Sequence, residues 1–365
     1  MRQLRLLIAC GGTGGHIFPA SALAAHIKSA HPDADISFAG VFNSHIEGIL
    51  KKSGYKTFSI KAGGMPRGLN ILIAPFFVKA ARSFFLAVEI LKREDIHIVV
   101  SMGSFSGAPF VFAGKFLGLP VLVHEQNILP GRANRLSGYF ADRIAISFDK
   151  TASYFSKRMK RRIVCTGNPV REEIHGIKKE DALKFFDFDA NKFTILVTGG
   201  SQGAHAINIA IALAAKGLDK NKFQILHLAG KSDCEFASRE YNLLGIKNKV
   251  FSFFDDMGKA YAASDLIISR AGAITIAEIT SLGIASILVP YPHGDAHQRE
   301  NAKVLQNRNA GVIIEEKYLT KERLLAAIKD LSENRNKLEE MKHNSKNLAR
   351  PGAAERLAKE VLDLA

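Results

Sequence analysis

The chain has no tryptophan and few cysteines, and the cysteines it has are far apart. Cys10, Cys165 and Cys234 are the three, and none of them forms a CxxC pair. This usage predicts neither a disulfide framework nor a cysteine zinc site, and it fits a reducing compartment. Uncharged apolar runs of about 18 residues are missing as well, so no transmembrane helix is expected. The first residues also lack the apolar region and cleavage site of a signal peptide.

Two common nucleotide-binding motifs are missing too. The glycine-rich residues 11–15 lack the last glycine of a dinucleotide fingerprint, because Ile17 stands in its place. The Gly-Lys-Ser triplet at residues 230–232 lacks the upstream glycine of a Walker A loop, since Ile225 occupies that position. A nicotinamide oxidoreductase and a P-loop NTPase are therefore disfavoured.

Acidic residues are scarce relative to basic ones. The 365 residues include 50 Lys and Arg against 35 Asp and Glu, a formal net charge of +15. Such an excess indicates an anionic partner, which could be nucleic acid, an acidic lipid surface or a phosphorylated substrate. The alternative is a basic surface that only maintains solubility. With 47% hydrophobic residues and this length, the chain is expected to form two globular domains.

Short apolar runs alternate with helical patterns along the whole chain, which predicts an α/β protein with parallel sheets. The predicted strands are residues 4–9, 36–39, 96–101, 121–124, 144–147, 194–198, 224–229, 250–253, 266–269 and 285–289. The two halves repeat one pattern, because "LLIACGGTGG" and "ILVTGGSQG" each join a buried strand to a glycine turn. We therefore predict two Rossmann-like domains, residues 1–166 and 167–349, each with a loop that suits a phosphate.

Two residues, His16 and Glu278, suggest specific chemistry. His16 follows the first glycine loop at a helix start, where the positive field favours the neutral imidazole. It could act as a general base or merely cap the helix. Glu278 lies in the first turns of a predicted helix and could accept ribose hydroxyls, although acids are common at such positions in any case.

The sequence gives little support for a metal site. The acidic triplets at residues 33–35 and 187–189 fall in turns, where chance explains them. His293, Asp295, His297 and Gln298 match no zinc spacing. We therefore expect neither a metal nor another cofactor.

Residues 71–93 are apolar on more than one helical face and are interleaved with cations. The charged residues of this segment and Pro75 argue against a membrane span. Either the helix is buried, or one face packs on the sheet while the other lies on an anionic membrane. The positive net charge of the chain favours the membrane contact over the buried helix. The predicted patch comprises Phe76, Phe77, Lys79, Arg82, Phe84 and Phe85.

Seven motifs occur together in one order. They are "GGTGGHIFPA", "HEQNILPG", "GNPVR", "GGSQGA", "FFDDM", "RAGAITIAE" and "DAHQREN". In this order they resemble the MurG family of bacterial glycosyltransferases (glycosyltransferase family 28) over nearly the whole chain. The resemblance implies a GT-B fold, in which two Rossmann-like domains face a central cleft and a final helix, here about residues 350–365, returns to the first domain.

The resemblance also implies an activity and its partners. The family moves N-acetylglucosamine from UDP-N-acetylglucosamine to the C4 hydroxyl of the acceptor lipid I, with inversion and without a metal. The implied location is the cytoplasmic face of the bacterial membrane, with other cell-wall synthesis proteins as further potential partners and no nucleic acid. The resemblance implies that His16 is either the base or the histidine that positions the acceptor. The implied substrate-binding residues are Thr13, Gly14, Gly15, Asn127, Arg171, Ser201, Phe254, Ala273, Ile274, Thr275, Ile276, Ala277, Glu278 and Gln298.

One loop departs from the family pattern, and rival functions remain. Ser101, Ser104 and Phe105 replace two glycines and a tyrosine on the acceptor side, and Ala271 replaces a frequent serine. Another UDP-sugar transferase or a UDP-N-acetylglucosamine epimerase is the first rival, although an epimerase would not need the apolar segment. A nucleic-acid-binding protein is the second. The scattered basic residues and the absence of tryptophan count against it.

Overall fold

In this computed structural model the described residues are 3–60, 73–200, 203–292 and 296–365, with only the backbone described at 45 and 73–77. The chain forms two compact units, one of Met1–Arg171 with Gly352–Ala365 and one of Glu172–Pro351. Among the described residues, no helix has both the length and the hydropathy needed to cross a bilayer.

The first unit is a seven-stranded parallel sheet with helices on both faces. Its strands are β1 (Arg5–Gly11), β2 (Asp35–Val41), β3 (Lys56–Ser59), β4 (Ile98–Ser101), β5 (Val121–Glu125), β6 (Arg143–Ile146) and β7 (Ile163–Cys165), in the order β3-β2-β1-β4-β5-β6-β7. Its first helices are α1 (Gly14–Ala30), α2 (Ser44–Lys52), α3 (Ile73–Arg93), α4 (Ala108–Phe116) and α5 (Arg132–Ser137). The central strands are almost entirely buried, as a sheet covered on both faces requires.

The helices of this unit pack in two layers. On one face of the sheet α1 buries Leu23 and Ile27, together with Leu50 of α2. On the other face α3 and α4 contribute Leu91 and Phe110 to a second apolar layer.

The second unit repeats this plan with six strands. They are β8 (Phe193–Thr198), β9 (Phe223–Leu228), β10 (Lys247–Phe251), β11 (Leu266–Ser269), β12 (Ala285–Leu288) and β13 (Val312–Ile313), in the parallel order β10-β9-β8-β11-β12-β13. Its helices are α6 (Lys179–Phe185), α7 (His205–Ala214), α8 (Cys234–Leu243), α9 (Met257–Ala262), α10 (Ala273–Leu282), α11 (His297–Gln306), α12 (Lys321–Glu333) and α13 (Arg335–Asn347).

The last helix, α14 (Ala353–Leu362), belongs to the first unit. It buries Leu357 and Val361 in the layer that contains α1. The Arg356 guanidinium donates to the carbonyl oxygen of Thr166 at 2.8 and 3.0 Å. Both apolar and polar contacts therefore hold the C-terminal helix on the first unit.

In each sheet the strand order reverses beside the first strand, between β1 and β4 and between β8 and β11. Such a switch point opens a crevice at the carboxyl ends of the strands, where ligands of parallel α/β sheets bind. Both glycine loops follow the strand at a switch point. This placement confirms the prediction of two Rossmann-like parallel-sheet domains.

Nine of the ten predicted strands lie within about two residues of their observed ends. The prediction for residues 250–253 was wrong, because the strand spans Lys247–Phe251. The strands β3, β7 and β13 were not predicted. The short helix α6 buries one face through Ala182 and Leu183.

Candidate active site

The first glycine loop makes a tight strand-to-helix turn at the switch point of the first unit. A Cβ atom on Gly12 would lie 2.2 Å from the carbonyl oxygen of Val41, so only glycine fits there. Helix α1 begins at Gly14 with Thr13 in the N-cap position, and the Thr13 side chain makes no capping bond. The first amides of a helix have no intrahelical partner, so this turn can receive an anion or a polar oxygen.

His16 lies in the first turn of α1 and is half-buried. Its Nδ1 is 2.9 Å from the carbonyl oxygen of Met102, which directly follows β4. Because a carbonyl only accepts, we assign the proton to Nδ1 and leave Nε2 with a free lone pair. Burial lowers the pKa of His16, and its bond to Met102 partly offsets this. The side chain therefore does not cap the helix, and it has the neutral form that a general base needs.

The carbonyl of Met102 is shared with a second donor. Gln126 Nε2 donates to the same oxygen at 2.8 Å and to His124 Nδ1 at 3.1 Å. The other nitrogen of His124 is 3.1 Å from the Gly167 carbonyl oxygen. His124 and Gln126 are both buried. This polar chain supports the backbone that orients His16.

Glu125 organises the loop that carries Asn127. One of its oxygens accepts from the Asn127 amide at 2.8 Å and from Asn127 Nδ2 at 3.1 Å. The other accepts from the Gly131 amide at 3.0 Å and from Asn134 Nδ2 at 2.8 Å. The buried carboxylate thus holds the loop through hydrogen bonds alone, and its charge favours protonation of His16.

The loop with the unusual serines lies against the first glycine loop. Ser104 has a φ of 73°, a left-handed conformation that glycine adopts more readily. Its hydroxyl is 3.1 Å from that of Ser106, and the latter donates to the Cys10 carbonyl oxygen at 3.0 Å. Ser101 is buried and Phe105 is half-buried. The serines therefore replace glycine flexibility with hydrogen bonds.

The second glycine loop follows β8, and Ser201 lies outside the described residues. Gly203 has a φ of 73°, and a Cβ atom on it would be 2.7 Å from the Ala229 carbonyl oxygen. Behind it, Asn208 donates to that carbonyl at 2.8 Å and contacts His227 Nε2 at 2.9 Å. Burial lowers the pKa of His227 to about 3, so a neutral imidazole supports this loop through Asn208.

Helix α10 carries the predicted donor-binding residues Ala273, Ile274, Thr275, Ile276, Ala277 and Glu278. Glu278 is buried, and its Oε2 accepts from the Tyr261 hydroxyl at 2.7 Å. Gln298 Oε1 accepts from the amides of Ala271 and Tyr291, at 3.1 and 3.0 Å. Gln298 therefore joins the loops that follow β11 and β12, at the switch-point edge of the sheet.

The remaining predicted residues are Phe254, Arg171, Gly14 and Gly15. Phe254 belongs to an aromatic cluster, with ring centroids 5.4 Å from Phe186 and 5.0 Å from Phe251. Arg171 lies over the ring of Phe18 in α1 at 4.1 Å. Gly14 and Gly15 are the first two residues of α1.

The apolar segment forms α3, and its described side chains divide between core and surface. Ala87 and Leu91 are buried, whereas Phe85 is 69% exposed beside the exposed Lys79 and Arg82. Phe84 is half-buried, with its ring centroid 5.7 Å from that of Phe116 in α4. The side chains of Phe76 and Phe77 lie outside what the structure describes.

Several residues at these sites were not predicted from the sequence. They are Met102, His124, Glu125, Gln126, Asn208, His227 and Tyr261. One signal was present, because the buried β5 ends in the polar pair His124 and Glu125 and is followed by Gln126, so all three stand at the carboxyl edge of the sheet. Nothing in the sequence alone indicates that a backbone carbonyl holds His16.

Comparison with known proteins agrees with this architecture. Models of the N-terminal and C-terminal domains of glycosyltransferase family 28 match residues 6–146 and 194–357. The chain is 38% identical, over 96% of its length and 97% of the relative, to the UDP-N-acetylglucosamine--N-acetylmuramyl-(pentapeptide) pyrophosphoryl-undecaprenol N-acetylglucosamine transferase of Citrifermentans bemidjiense. A Bacillus pumilus protein of the same name is 35% identical over 97% of both chains.

Solved structures give the same result. The crystal structure of Acinetobacter baumannii MurG covers 99% of both chains with a TM-score of 0.77 and 28% identity. A UDP-GlcNAc 2-epimerase from Neisseria meningitidis reaches a TM-score of 0.71 over 99% of this chain and 100% of its own at 14% identity, which indicates a shared fold alone. With both domain models matched and curated relatives aligned along nearly their full length, the chain belongs to glycosyltransferase family 28.

Proposed function

We propose that the chain is an inverting hexosyltransferase that moves N-acetylglucosamine from UDP-N-acetylglucosamine to lipid I. The acceptor is the C4 hydroxyl of its N-acetylmuramyl-pentapeptide, and the product is lipid II for peptidoglycan synthesis. The observation that carries this proposal is the nearly full-length identity with relatives named for this transfer. The sequence identity to the epimerase is much lower, at 14%, so that likeness supports only the fold.

The geometry around His16 suits the chemical step. The acceptor oxygen attacks C1 of the sugar while the bond between C1 and the UDP oxygen breaks, and the electron pair leaves with UDP. Attack from the face opposite UDP inverts the anomeric centre. His16 Nε2 takes the hydroxyl proton, because its Nδ1 is already committed to Met102. The Glu125 charge stabilises the imidazolium that forms.

The two units have different roles in this proposal. The first, proposed as residues 1–166 with about 350–365, holds the acceptor, and its Thr13, Gly14 and Gly15 lie on the donor side. The second, proposed as residues 167–349, binds the donor through the α10 residues, with Glu278 on the ribose. Asn127 and Gln298 contact the sugar. Further donor contacts come from Arg171, from Ser201 near the diphosphate and from the Phe254 backbone at uracil. Amides at the glycine loops and helix starts stabilise the leaving diphosphate without a cation.

A lipid-linked acceptor requires access to a membrane. We place the protein at the cytoplasmic face of the bacterial cell membrane, attached peripherally. The exposed part of α3 supports this, because Phe85 projects beside Lys79 and Arg82 on a chain with net charge +15. Such a surface combines apolar area with attraction to anionic lipids.

The direct test is transfer of labelled sugar from UDP-N-acetylglucosamine to a lipid I analogue in the presence of EDTA. We expect labelled disaccharide-lipid despite the chelator, and its loss in His16→Ala with donor binding retained. If the nucleotide sugar binds but only its 2-epimer forms, the chain is an epimerase. Transfer that stops with EDTA and returns with Mg²⁺ would contradict the metal-independent step.

A further inference from the structure

One strongly basic segment plays no part in the proposed active site. Residues 156–162 read SKRMKRR and contain five cations and no acid. The segment lies between the stretches that the two family models match, residues 6–146 and 194–357. Neither the proposed active site nor the matched family domains therefore account for the positive charge of this segment.

The segment is attached to the same face of the first sheet as α3 and α4. Phe155 and Met159 are buried in the apolar layer that also contains Leu91 and Phe110. With these two residues as anchors, Lys157, Arg158, Lys160 and Arg161 are left exposed. In the part of the chain that the structure describes, these four cations have no acidic partner within ion-pair distance, so their charge is available to a ligand.

Exposed apolar residues connect the segment to α3. The Arg162 guanidinium donates to the carbonyl oxygen of Ala141, in the turn between α5 and β6. The adjacent Phe140 packs edge-on against Phe112 of α4, with centroids 5.0 Å apart. Phe116 of α4 in turn packs edge-on against Phe84 of α3 at 5.7 Å. The aromatic contacts therefore run from α3 across α4 to Phe140, and the hydrogen bond of Arg162 joins the basic segment to the neighbouring Ala141.

Much of this strip faces solvent. Phe85 and Phe116 are 69% and 71% exposed, and Leu136, Tyr139 and Phe140 are 51%, 58% and 40% exposed. An exposed apolar strip of this kind marks an interaction surface. Cations at both ends, on α3 and on residues 156–162, fit a broad anionic and partly apolar partner such as a lipid bilayer.

We propose that residues 156–162 form a second anionic-lipid contact, separate from the cations of α3. This inference rests on the peripheral membrane attachment in the proposed function. The two cationic ends, joined by the aromatic strip, hold the first unit on the bilayer at two points. The phosphates of a nucleic acid could bind these cations, but a nucleic acid would leave the apolar strip exposed to solvent.

The test is binding of the full chain to vesicles of phosphatidylethanolamine and phosphatidylglycerol, measured by co-sedimentation. The variant replaces Lys157, Arg158, Lys160 and Arg161 with Gln. Its matched control replaces the exposed Lys216, Lys222, Arg308 and Lys329 of the second unit with Gln, which removes the same net charge. We expect the first variant to lose at least about tenfold in vesicle affinity relative to the control, since each cation near an anionic surface adds to the attraction.

The outcomes separate this inference from the proposed function. Equal vesicle affinity of the two variants, with wild-type binding intact, would overturn the second contact and leave membrane attachment standing. No vesicle binding by the wild type would refute the attachment itself. A selective loss of RNA binding with vesicle binding retained would assign the segment to nucleic acid. Transfer to a short-chain, water-soluble acceptor should be unchanged in both variants. This control shows that the substitutions leave the fold intact.

Discussion

The imidazole of His16 and the carbonyl of Met102 join two loops at the switch point of the first sheet. The hydrogen bond is 2.9 Å long and connects the start of α1 to the residue that follows β4. It fixes both the rotamer and the tautomer of the histidine. The proposed base is therefore positioned by a main-chain carbonyl, which Gln126 also holds.

We expect His16 to set the acid limb of the pH–rate profile. Because burial lowers its pKa, the neutral form persists at pH values below the ordinary histidine range. His124 and Glu125 are the titratable neighbours that act on it, and only Glu125 opposes the shift. Transfer should thus stay constant from pH 8 down to about 6.5 and fall only at lower pH.

The measurement is kcat/KM for transfer between pH 5 and 8 under saturating donor. His16→Ala should lower kcat by roughly 10²- to 10⁴-fold, the usual contribution of a general base. UDP-N-acetylglucosamine affinity should be unchanged. A wild-type acid limb above pH 7, or full activity in the variant, would remove His16 from the proton transfer.

Gln126 should act as a positioning residue for the same histidine. Its amide donates to both Met102 and His124, and Gln126→Met removes both bonds without adding charge. We expect kcat to fall several-fold with little change in the donor KM. Gln126→Glu should in addition move the acid limb to higher pH, because a nearby carboxylate favours the imidazolium. Equal profiles for the Met and Glu variants would indicate a purely structural role.

Edge strands explain most of what the sequence did not predict. The strands β3, β7 and β13 have only four, three and two residues and lie at or beside sheet edges, half-exposed, so they lack a buried apolar run. The strand β10 begins with Lys-Asn-Lys for the same reason, and only its apolar end was recognised. Central strands are buried on both faces, and their continuous aliphatic runs made them predictable.

The site was predictable where it depends on motifs and unpredictable where it depends on tertiary contacts. The glycine loops, His16 and the start of α10 are contiguous patterns that follow strands. The bond from His16 to Met102 and the bond from Tyr261 to Glu278 join residues 86 and 17 positions apart. Such pairings follow from strand order, which one sequence without relatives does not reveal.

Glu278 and Tyr261 give a graded test of donor binding. If Glu278 binds the ribose, Glu278→Ala should weaken UDP binding by about ten- to a hundredfold, since hydrogen bonds to a charged group contribute about 1.5–3 kcal/mol. Tyr261→Phe keeps the carboxylate but removes its 2.7 Å bond, so the loss should be several-fold. Calorimetry measures the affinity of each variant for UDP and for 2′,3′-dideoxy-UDP, which lacks the ribose hydroxyls. If the two residues recognise the ribose, only the affinity for UDP should fall. Parallel losses for both would show that neither residue recognises the ribose.

His227 should make the second unit sensitive to acid. Its folded pKa of about 3 lies below the ordinary histidine value, so the unfolded chain binds a proton first as the pH falls through 6.5. Stability is therefore lost between pH 6.5 and 3, by roughly 2 kcal/mol at pH 5. Urea unfolding of His227→Gln at pH 7 and 5 should show a smaller loss than wild type. The exposed His343→Gln is the control, and an equal loss in all three proteins would contradict this account.

Phe85 should contribute to membrane binding without supporting the fold. Its side chain is 69% exposed on α3, so Phe85→Ser removes little packing but takes an aromatic ring from the proposed lipid contact. Burial of a phenylalanine is worth about 1.5–3 kcal/mol, and partial insertion should therefore change vesicle affinity by roughly five- to tenfold. The matched control is Leu243→Ser, which alters a residue 76% exposed in the second unit. A drop in thermal stability of Phe85→Ser with unchanged vesicle affinity would show that this side of α3 belongs to the core of the first unit and does not contact lipid.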